Sequence, residues 1–151
     1  MNALFRKFDG LLLRRPRIVL AGYWLFCMIV THVPPIFAKE DGPREERLIG
    51  IDKVAHFVGY AGLAFVLMNA LVRSNSMHAE ARTSDSGVGK RSILLTLLIC
   101  AVYGIIDELT QPPFGRTADP ADWVADVIGA VVGIAFFVKW TRRSVRRGAS
   151  S

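Results

Sequence analysis

Four long apolar segments, separated by charged stretches, constrain this 151-residue chain more than any other feature. They cover approximately residues 18–33, 52–72, 92–110 and 122–140. Each is close to the roughly 20 residues that an α-helix needs to cross a bilayer, and unpaired backbone groups exclude open sheets from hydrocarbon. The segments are also too long and too continuously apolar for the strands of a barrel. The sequence therefore predicts an all-α fold, an integral membrane four-helix bundle.

The distribution of Lys and Arg predicts how the bundle is oriented. The side that would hold both termini and the loop at 73–91 carries fourteen basic and three acidic residues, and the other side carries five basic and ten acidic residues. We therefore expect a transmembrane domain at 18–140 between two basic cytoplasmic segments, the N-terminus at 1–17 and the tail at 141–151. This topology accounts for the net charge of +6. The sequence has no basic patch interleaved with aromatic residues, so nucleic acid is not expected as a partner.

Two segments have alternative or simpler interpretations. The first apolar segment follows a basic stretch at 14–17 and precedes Phe37-Ala38, a pattern that also occurs in signal peptides. Residues 74–89 are rich in Ser, Gly and Ala and lack an apolar period, so we expect a flexible loop there.

Ionisable residues from three of the predicted helices fall at a similar depth near the outer face. With a rise of about 1.5 Å per residue and a hydrocarbon core of about 30 Å, His56 lies about 6 Å and Asp126 about 10 Å below the outer boundary. Asp107 lies only about 24 Å from the inner boundary, so it is also inside the membrane. Ionised groups in lipid are costly and must pair with one another or line a wet cavity. We therefore expect one polar site shared by these helices.

Residues four apart share a helix face, and polar residues recur at this spacing. The pairs are Asp52–His56, His56–Tyr60, Asp107–Gln111 and Asp122–Asp126. In the fourth helix the stripe continues through Gly129 and Gly133, which predicts a small-residue packing face and aspartates that point into the bundle. His32 ends the first apolar segment and could join the site, although an interfacial histidine is the simpler interpretation.

The connection between the third and fourth helices is predicted to form a short irregular lid. Pro112-Pro113 ends the third helix and turns the chain back over the polar site. Arg116 lies in this connection and is the cation best placed to hold the carboxylates or an anionic ligand.

Two ordered motifs carry a resemblance to a known family. The first is Asp52-Lys53-x-x-His56-Phe57-x-x-Tyr60, and the second is Asp107-Glu108-x-x-Gln111 followed by Phe114-Gly115-Arg116, Asp122 and Gly129. Over residues 51–133 they resemble the VanZ-like family of small bacterial membrane proteins, although Asp126 stands where that family often has Asn. The resemblance implies a multi-pass protein of the bacterial plasma (inner) membrane and the cell envelope. The family's name-giving member is associated with resistance to the glycopeptide antibiotic teicoplanin.

The residues of these motifs are the candidate site. The candidate catalytic residues, which carry acid or base groups, are His56, Asp52, Asp107, Glu108 and Asp126. The candidate substrate-binding residues are Lys53, Tyr60, Gln111, Arg116 and Asp122. His56 has three interpretations: a hydrogen-bonded structural histidine, a general acid or base, or a metal ligand together with neighbouring carboxylates. No tight His/Cys motif is present, so the sequence predicts no metal site, and it leaves the cofactor open.

Three classes of function fit these features. The first is an enzyme that acts on a lipid-linked or envelope substrate at the outer leaflet, with His56 and the carboxylates as acid and base and Arg116 as an anion clamp. The second is a non-catalytic protein that binds or shields an envelope component or a glycopeptide. The third is a transporter or flippase subunit, for which four short helices leave little room unless the protein oligomerises. The expected partners are membrane lipid, a lipid-linked envelope precursor or glycopeptide, and a second copy in a homo-oligomer. We favour the envelope function with an outer-leaflet site.

Overall fold

The computed structural model describes residues 15–32, 50–79, 88–116 and 118–148. Within these ranges the chain forms helices and short connections and contains no strand. The helices, in chain order, are α1 (Pro16–His32), α2 (Ile51–Ala79), α3 (Lys90–Thr110) and α4 (Pro120–Gly148), with a 3-10 turn at Pro112–Phe114 between the last two. The predicted all-α four-helix bundle is confirmed.

Three of these helices are long and apolar enough to cross a membrane. Their apolar spans are Asp52–Ser74, Lys90–Thr110 and Pro120–Ser144. The remaining helix, α1, is also apolar but shorter, because its 17 residues correspond to about 25 Å of helix. Large apolar side chains cover the outside of the bundle; Leu109, for example, is 70% exposed. Such a surface matches lipid better than water, and the chain is a membrane protein.

Two of the helices extend beyond their predicted limits. α2 continues to Ala79 and α4 to Gly148, whereas the apolar segments end near residues 72 and 140. Neither extension contains Pro, and the one Gly in them is Gly148 at the end of α4, so no helix-breaking residue ends either helix where apolar residues give way to polar ones. The expectation of a loop from residue 74 is therefore wrong as far as Ala79.

The other loop and terminal predictions lie outside the described residues. These are the remainder of the 74–89 loop at 80–87, the segment from 33 to 49, and residues 1–14 and 149–151 of the two basic terminal segments. Residues 141–148 of the tail belong to α4. The orientation of the termini stays a prediction.

α2 and α4 approach each other closely along a seam of glycines. A Cβ atom at Gly129 would collide with the backbone carbonyl of Phe57, and one at Gly133 would collide with that of Ala61. A backbone carbonyl cannot move aside as a flexible side chain can, so both positions require glycine. The predicted small-residue packing face is confirmed, and it sets the distance between α2 and α4.

The interior of the bundle has an apolar part and a polar end. Along the seam, Leu63 and Met68 of α2 pack with Ile134 and Phe137 of α4, all of them buried. Phe65 contacts Phe137 edge to face, with ring centroids 5.4 Å apart. The opposite end of the bundle, formed by the first turns of α2 and α4 and the last turns of α1 and α3, holds the polar groups described below.

We predict that Gly133→Ala destabilises the bundle, because its new methyl group meets the backbone of α2. Overpacking of this kind costs about 1–3 kcal/mol. Thermal unfolding in detergent should therefore give a lower Tm than that of the wild type. Gly22→Ala is the matched control, since no atom lies within 4 Å of the added Cβ, and it should leave the Tm unchanged or raise it. An unchanged Tm for Gly133→Ala would contradict the close seam.

A buried acid and histidine cluster at one end of the bundle

His56 of α2 and Asp126 of α4 form the centre of the polar end. Both side chains are 0% exposed, and His56 Nδ1 lies 2.9 Å from Asp126 Oδ1. His56 is next to Phe57, which contacts the glycine seam, and Asp126 lies one turn before Gly129. The close approach of the two backbones therefore brings the short aspartate side chain within reach of the ring. With Asp126 accepting the Nδ1 hydrogen, the neutral ring keeps its lone pair on Nε2.

Asp107 of α3 is held from the other side by the last turn of α1. The Thr31 hydroxyl donates to Asp107 Oδ1 over 3.0 Å, and His32 Nδ1 lies 3.5 Å from the same oxygen. The other ring nitrogen of His32 lies 3.0 Å from the Thr110 hydroxyl. α1 therefore closes the cluster, and His32 is part of it rather than an isolated interfacial histidine.

Three ion pairs connect the first turn of α2 to the start of α4 and to the segment that precedes it. Lys53 Nζ lies 2.6 Å from Asp119 Oδ2 and 2.8 Å from Asp122 Oδ1. Arg116 forms an ion pair with Asp52, whereas its predicted role towards an anionic ligand stays a prediction. Both cations are thus engaged with carboxylates of this end of the bundle, and neither is free to bind an anion in this arrangement.

Asp119 organises the start of α4. Its Oδ1 accepts the backbone N–H of Ala121 over 2.9 Å, the geometry of a helix N-cap, and Pro120 follows at the first helical position. Its own backbone N–H donates to Glu108 Oε2 over 2.7 Å. The Lys53 ammonium lowers the pKa of the Asp119 carboxyl below its ordinary value. Asp119 therefore links α2, α3 and α4 through three separate contacts.

The 3-10 turn and the residues after it form the predicted irregular lid. The turn at Pro112–Phe114 is followed by Gly115 in the left-handed region, with φ 77°, which reverses the chain. The Phe114 ring packs edge to face against His32, with centroids 5.1 Å apart. The lid is thus fixed to α1 by this ring contact and to α2 by Arg116.

Several buried polar atoms at this end have no hydrogen-bond partner among the described residues. They are His56 Nε2, Tyr60 Oη, Asp107 Oδ2, Glu108 Oε1, Asp126 Oδ2 and both side-chain atoms Oε1 and Nε2 of Gln111. Buried polar atoms are rarely left unpaired, because each one costs the free energy of its lost hydration. Their concentration at one end of the bundle marks a place where ordered water or a bound group can supply the missing partners.

The charge balance of this end is strongly acidic. Two permanent cations, Lys53 and Arg116, contact its acids within the described part of the chain. The acids are Asp52, Asp107, Glu108, Asp119, Asp122 and Asp126. Lys53 and Arg116 contact the three acids at the rim, Asp52, Asp119 and Asp122, and leave that rim with one negative charge in excess. Asp107 and Asp126 instead contact histidines, and Glu108 accepts a backbone N–H.

The structure brings all ten predicted site residues to the same end of the bundle, at two depths. The inner group, buried, consists of His56, Tyr60, Asp107, Glu108, Gln111 and Asp126. The outer group, joined by ion pairs, consists of Asp52, Lys53, Arg116 and Asp122. Thr31 and Asp119 were missed. The sequence holds a signal for each of them. Thr31 forms a Thr-His pair at the end of an apolar segment, and Asp119 forms an Asp-Pro pair, which is typical of a helix start.

Comparison with protein-family models finds a match. The family model described as VanZ/LLP1 matches residues 16–142, which include the whole cluster. No curated protein and no solved structure matches the chain.

We predict that the contribution of Asp119 to stability has two separable parts. Asp119→Asn keeps a good N-cap but removes the charge that pairs with Lys53, and an exposed pair of this kind is worth less than about 1 kcal/mol. Because Lys53 lowers the pKa of Asp119, the stabilisation is present above the ordinary aspartate pKa of about 3.9 and is lost as the pH falls through the lowered value.

The measurement is the difference in Tm between wild type and Asp119→Asn from pH 7 down to pH 3, which should shrink below about pH 4. Asp119→Ala serves as the comparison, since it also loses the cap and should be less stable by about 1 kcal/mol more at every pH. A difference that does not change with pH would show that the pair with Lys53 contributes nothing.

Proposed function

The chain belongs to the VanZ/LLP1 family, and from this premise we propose that it works in the bacterial cell envelope. In this proposal it lies in the plasma membrane, with both termini in the cytoplasm and the polar cluster facing outward. There it acts on the headgroup of a lipid or of a lipid-linked envelope substrate. The observation that carries the proposal is the set of unpartnered atoms on His56, Asp107 and Gln111, which offers hydrogen-bonding capacity that the described chain does not use.

The proposed chemistry depends on His56. Asp126 orients its ring and leaves the lone pair on Nε2 without a partner. This lone pair can accept the proton of an attacking hydroxyl group or bind a metal ion, and both uses make His56 indispensable. Gln111 carries both a donor and an acceptor, so it can bind a polar headgroup on either kind of atom.

The predicted anion clamp requires a rearrangement of the lid. Arg116 contacts Asp52, and Lys53 contacts Asp119 and Asp122. A phosphate or carboxylate group of a substrate can compete for these cations, because bidentate Arg–phosphate and Arg–carboxylate pairs are comparably strong. In this proposal, binding of an anionic headgroup separates Arg116 from Asp52 and opens the way to the inner residues.

A non-catalytic protein that shields an envelope component is the second candidate. The complete burial of His56 and Asp126 favours it, because a substrate reaches these groups only after the lid moves. In that case the cluster would hold the helix ends together, and the outward surface would bind the envelope component or the glycopeptide. The two candidates differ in whether the function survives the loss of the His56 side chain.

We predict that the wild-type protein lowers the teicoplanin susceptibility of a sensitive bacterial host, and that His56→Ala and Asp107→Asn each abolish this protection. The reason is that His56→Ala removes the imidazole ring and Asp107→Asn replaces the acid with a neutral amide, while both leave the lipid-facing surface intact. Val54→Ala is the control, because Val54 lies on the same helix as His56 but is exposed. The minimum inhibitory concentration is measured for each variant and for the empty vector at matched membrane levels.

The possible outcomes separate the candidates. Protection lost in both variants and kept in Val54→Ala supports an active cluster. Protection that survives both substitutions excludes the catalytic role and supports shielding. A wild-type protein that gives no protection removes the antibiotic phenotype from this proposal.

A further inference from the structure

We infer that the inner cluster binds one divalent metal ion between His56, Asp107 and Asp126. One potential ligand atom of each residue lies within 4.8 Å of those of the other two, and all three residues are 0% exposed. Two ligand atoms that each lie about 2.0–2.2 Å from one metal ion are at most about 4.4 Å apart. The three ligand atoms therefore need to approach one another only slightly to bind one ion. This inference rests on the proposal that the cluster is the working site of the protein.

Each residue of this triad has coordination capacity that the chain leaves unused. His56 Nε2, Asp107 Oδ2 and Asp126 Oδ2 have no hydrogen-bond partner within the described ranges. Glu108 Oε1 and Gln111 Oε1 are likewise buried and unpartnered, and they come from the same end of α3 as Asp107. Amide and carboxylate oxygens of this kind are available to complete the coordination of a metal ion.

The charge balance favours a cation over any other occupant. Asp107, Glu108 and Asp126 have no Lys or Arg partner in the part of the chain that the structure describes. A carboxylic acid removed from water is stabilised by protonation or by a compensating positive charge, and these three acids share a small volume with His56 and His32. A divalent ion neutralises two of these charges and supplies partners for several unpaired atoms at once.

The contacts around the triad resemble the support that metal ligands receive from their neighbours. Thr31 donates to Asp107 Oδ1 and leaves Oδ2 free, which fixes the orientation of the carboxylate. A second triad, Asp52, His56 and Asp122, also has ligand atoms close together. Its carboxylates are already paired with Arg116 and Lys53, so we assign the ion to the inner triad.

The donor set indicates which ions fit. One imidazole nitrogen and two carboxylate oxygens suit Zn²⁺ or Mn²⁺, because imidazole is a good ligand for transition metals. Mg²⁺ and Ca²⁺ prefer sites made entirely of oxygen ligands. We therefore expect Zn²⁺ or Mn²⁺ to bind more tightly than Mg²⁺.

The test measures metal binding directly, without an activity assay. The full chain, purified in nanodiscs and stripped with a chelator, is dialysed against Zn²⁺, Mn²⁺ or Mg²⁺, and bound metal per chain is determined by elemental mass spectrometry. The variants are Asp107→Asn and Asp126→Asn, which preserve shape, with Val54→Ala as the control. The Tm of each stripped protein shows whether it is still folded, and the rise in Tm on metal addition gives a second readout.

We expect one Zn²⁺ or Mn²⁺ per wild-type chain, and at least a tenfold loss of affinity in folded Asp107→Asn and Asp126→Asn. Val54→Ala should bind as the wild type does. The inference is overturned if the wild type binds none of these ions saturably, or if both folded Asn variants bind as tightly as the wild type. Teicoplanin protection that depends on His56 in a protein that binds no metal would overturn the metal site and leave the proposed function standing. Metal bound at the triad in a protein that gives no protection would support the metal site and remove the antibiotic phenotype from the proposed function.

Discussion

The hydrogen bond between His56 and Asp126 is the interaction on which the polar end of this bundle depends. It joins α2 to α4 at the point where the glycine seam begins, so backbone packing and side-chain pairing fix the same pair of helices. In a low-dielectric interior such a bond is strong when it is made and costly when either partner is lost. The seam through Gly129 and Gly133 sets the distance between α2 and α4. At this distance the Asp126 side chain reaches the His56 ring.

The remaining polar groups are arranged in two layers around this bond. In the outer layer every carboxylate is paired with a cation, since Lys53 contacts Asp119 and Asp122 and Arg116 contacts Asp52. The inner layer does not, because Asp107 and Glu108 accept hydrogen bonds from Thr31 and from the backbone of Asp119 but contact no permanent cation among the described residues. Such acids inside a membrane bundle are stabilised by protonation or by a bound group, and this is why the functional proposals converge on the inner layer.

Much of this arrangement follows from the sequence. Helix length and the spacing of four residues placed His56, Asp107 and Asp126 at one depth and on inward faces, and the structure confirms their burial. The role of Gly129 and Gly133 followed from the same stripe. These predictions succeed because the period of a helix and the cost of burying polar groups act locally along the chain.

Other features depend on contacts between segments that are distant in sequence. The ion pairs at the rim depend on how the lid is positioned. This position decides that Arg116 pairs with Asp52 and that Lys53 pairs with Asp119 and Asp122. The helical residues up to Ala79 were missed because hydropathy marks where a helix leaves the apolar region and not where it ends. The unpartnered atoms of Gln111 become visible only when every neighbour is in place.

A double-mutant cycle between His56→Gln and Asp126→Asn tests this account most directly. The free energy of unfolding is measured for the wild type, both single variants and the double variant in the same lipid or detergent. The account predicts a coupling energy of about 1–3 kcal/mol for this pair, and additivity when His56→Gln is combined with Phe136→Leu on the exposed face of α4. Additivity within about 0.5 kcal/mol for His56 and Asp126 would contradict the claim that they join α2 to α4.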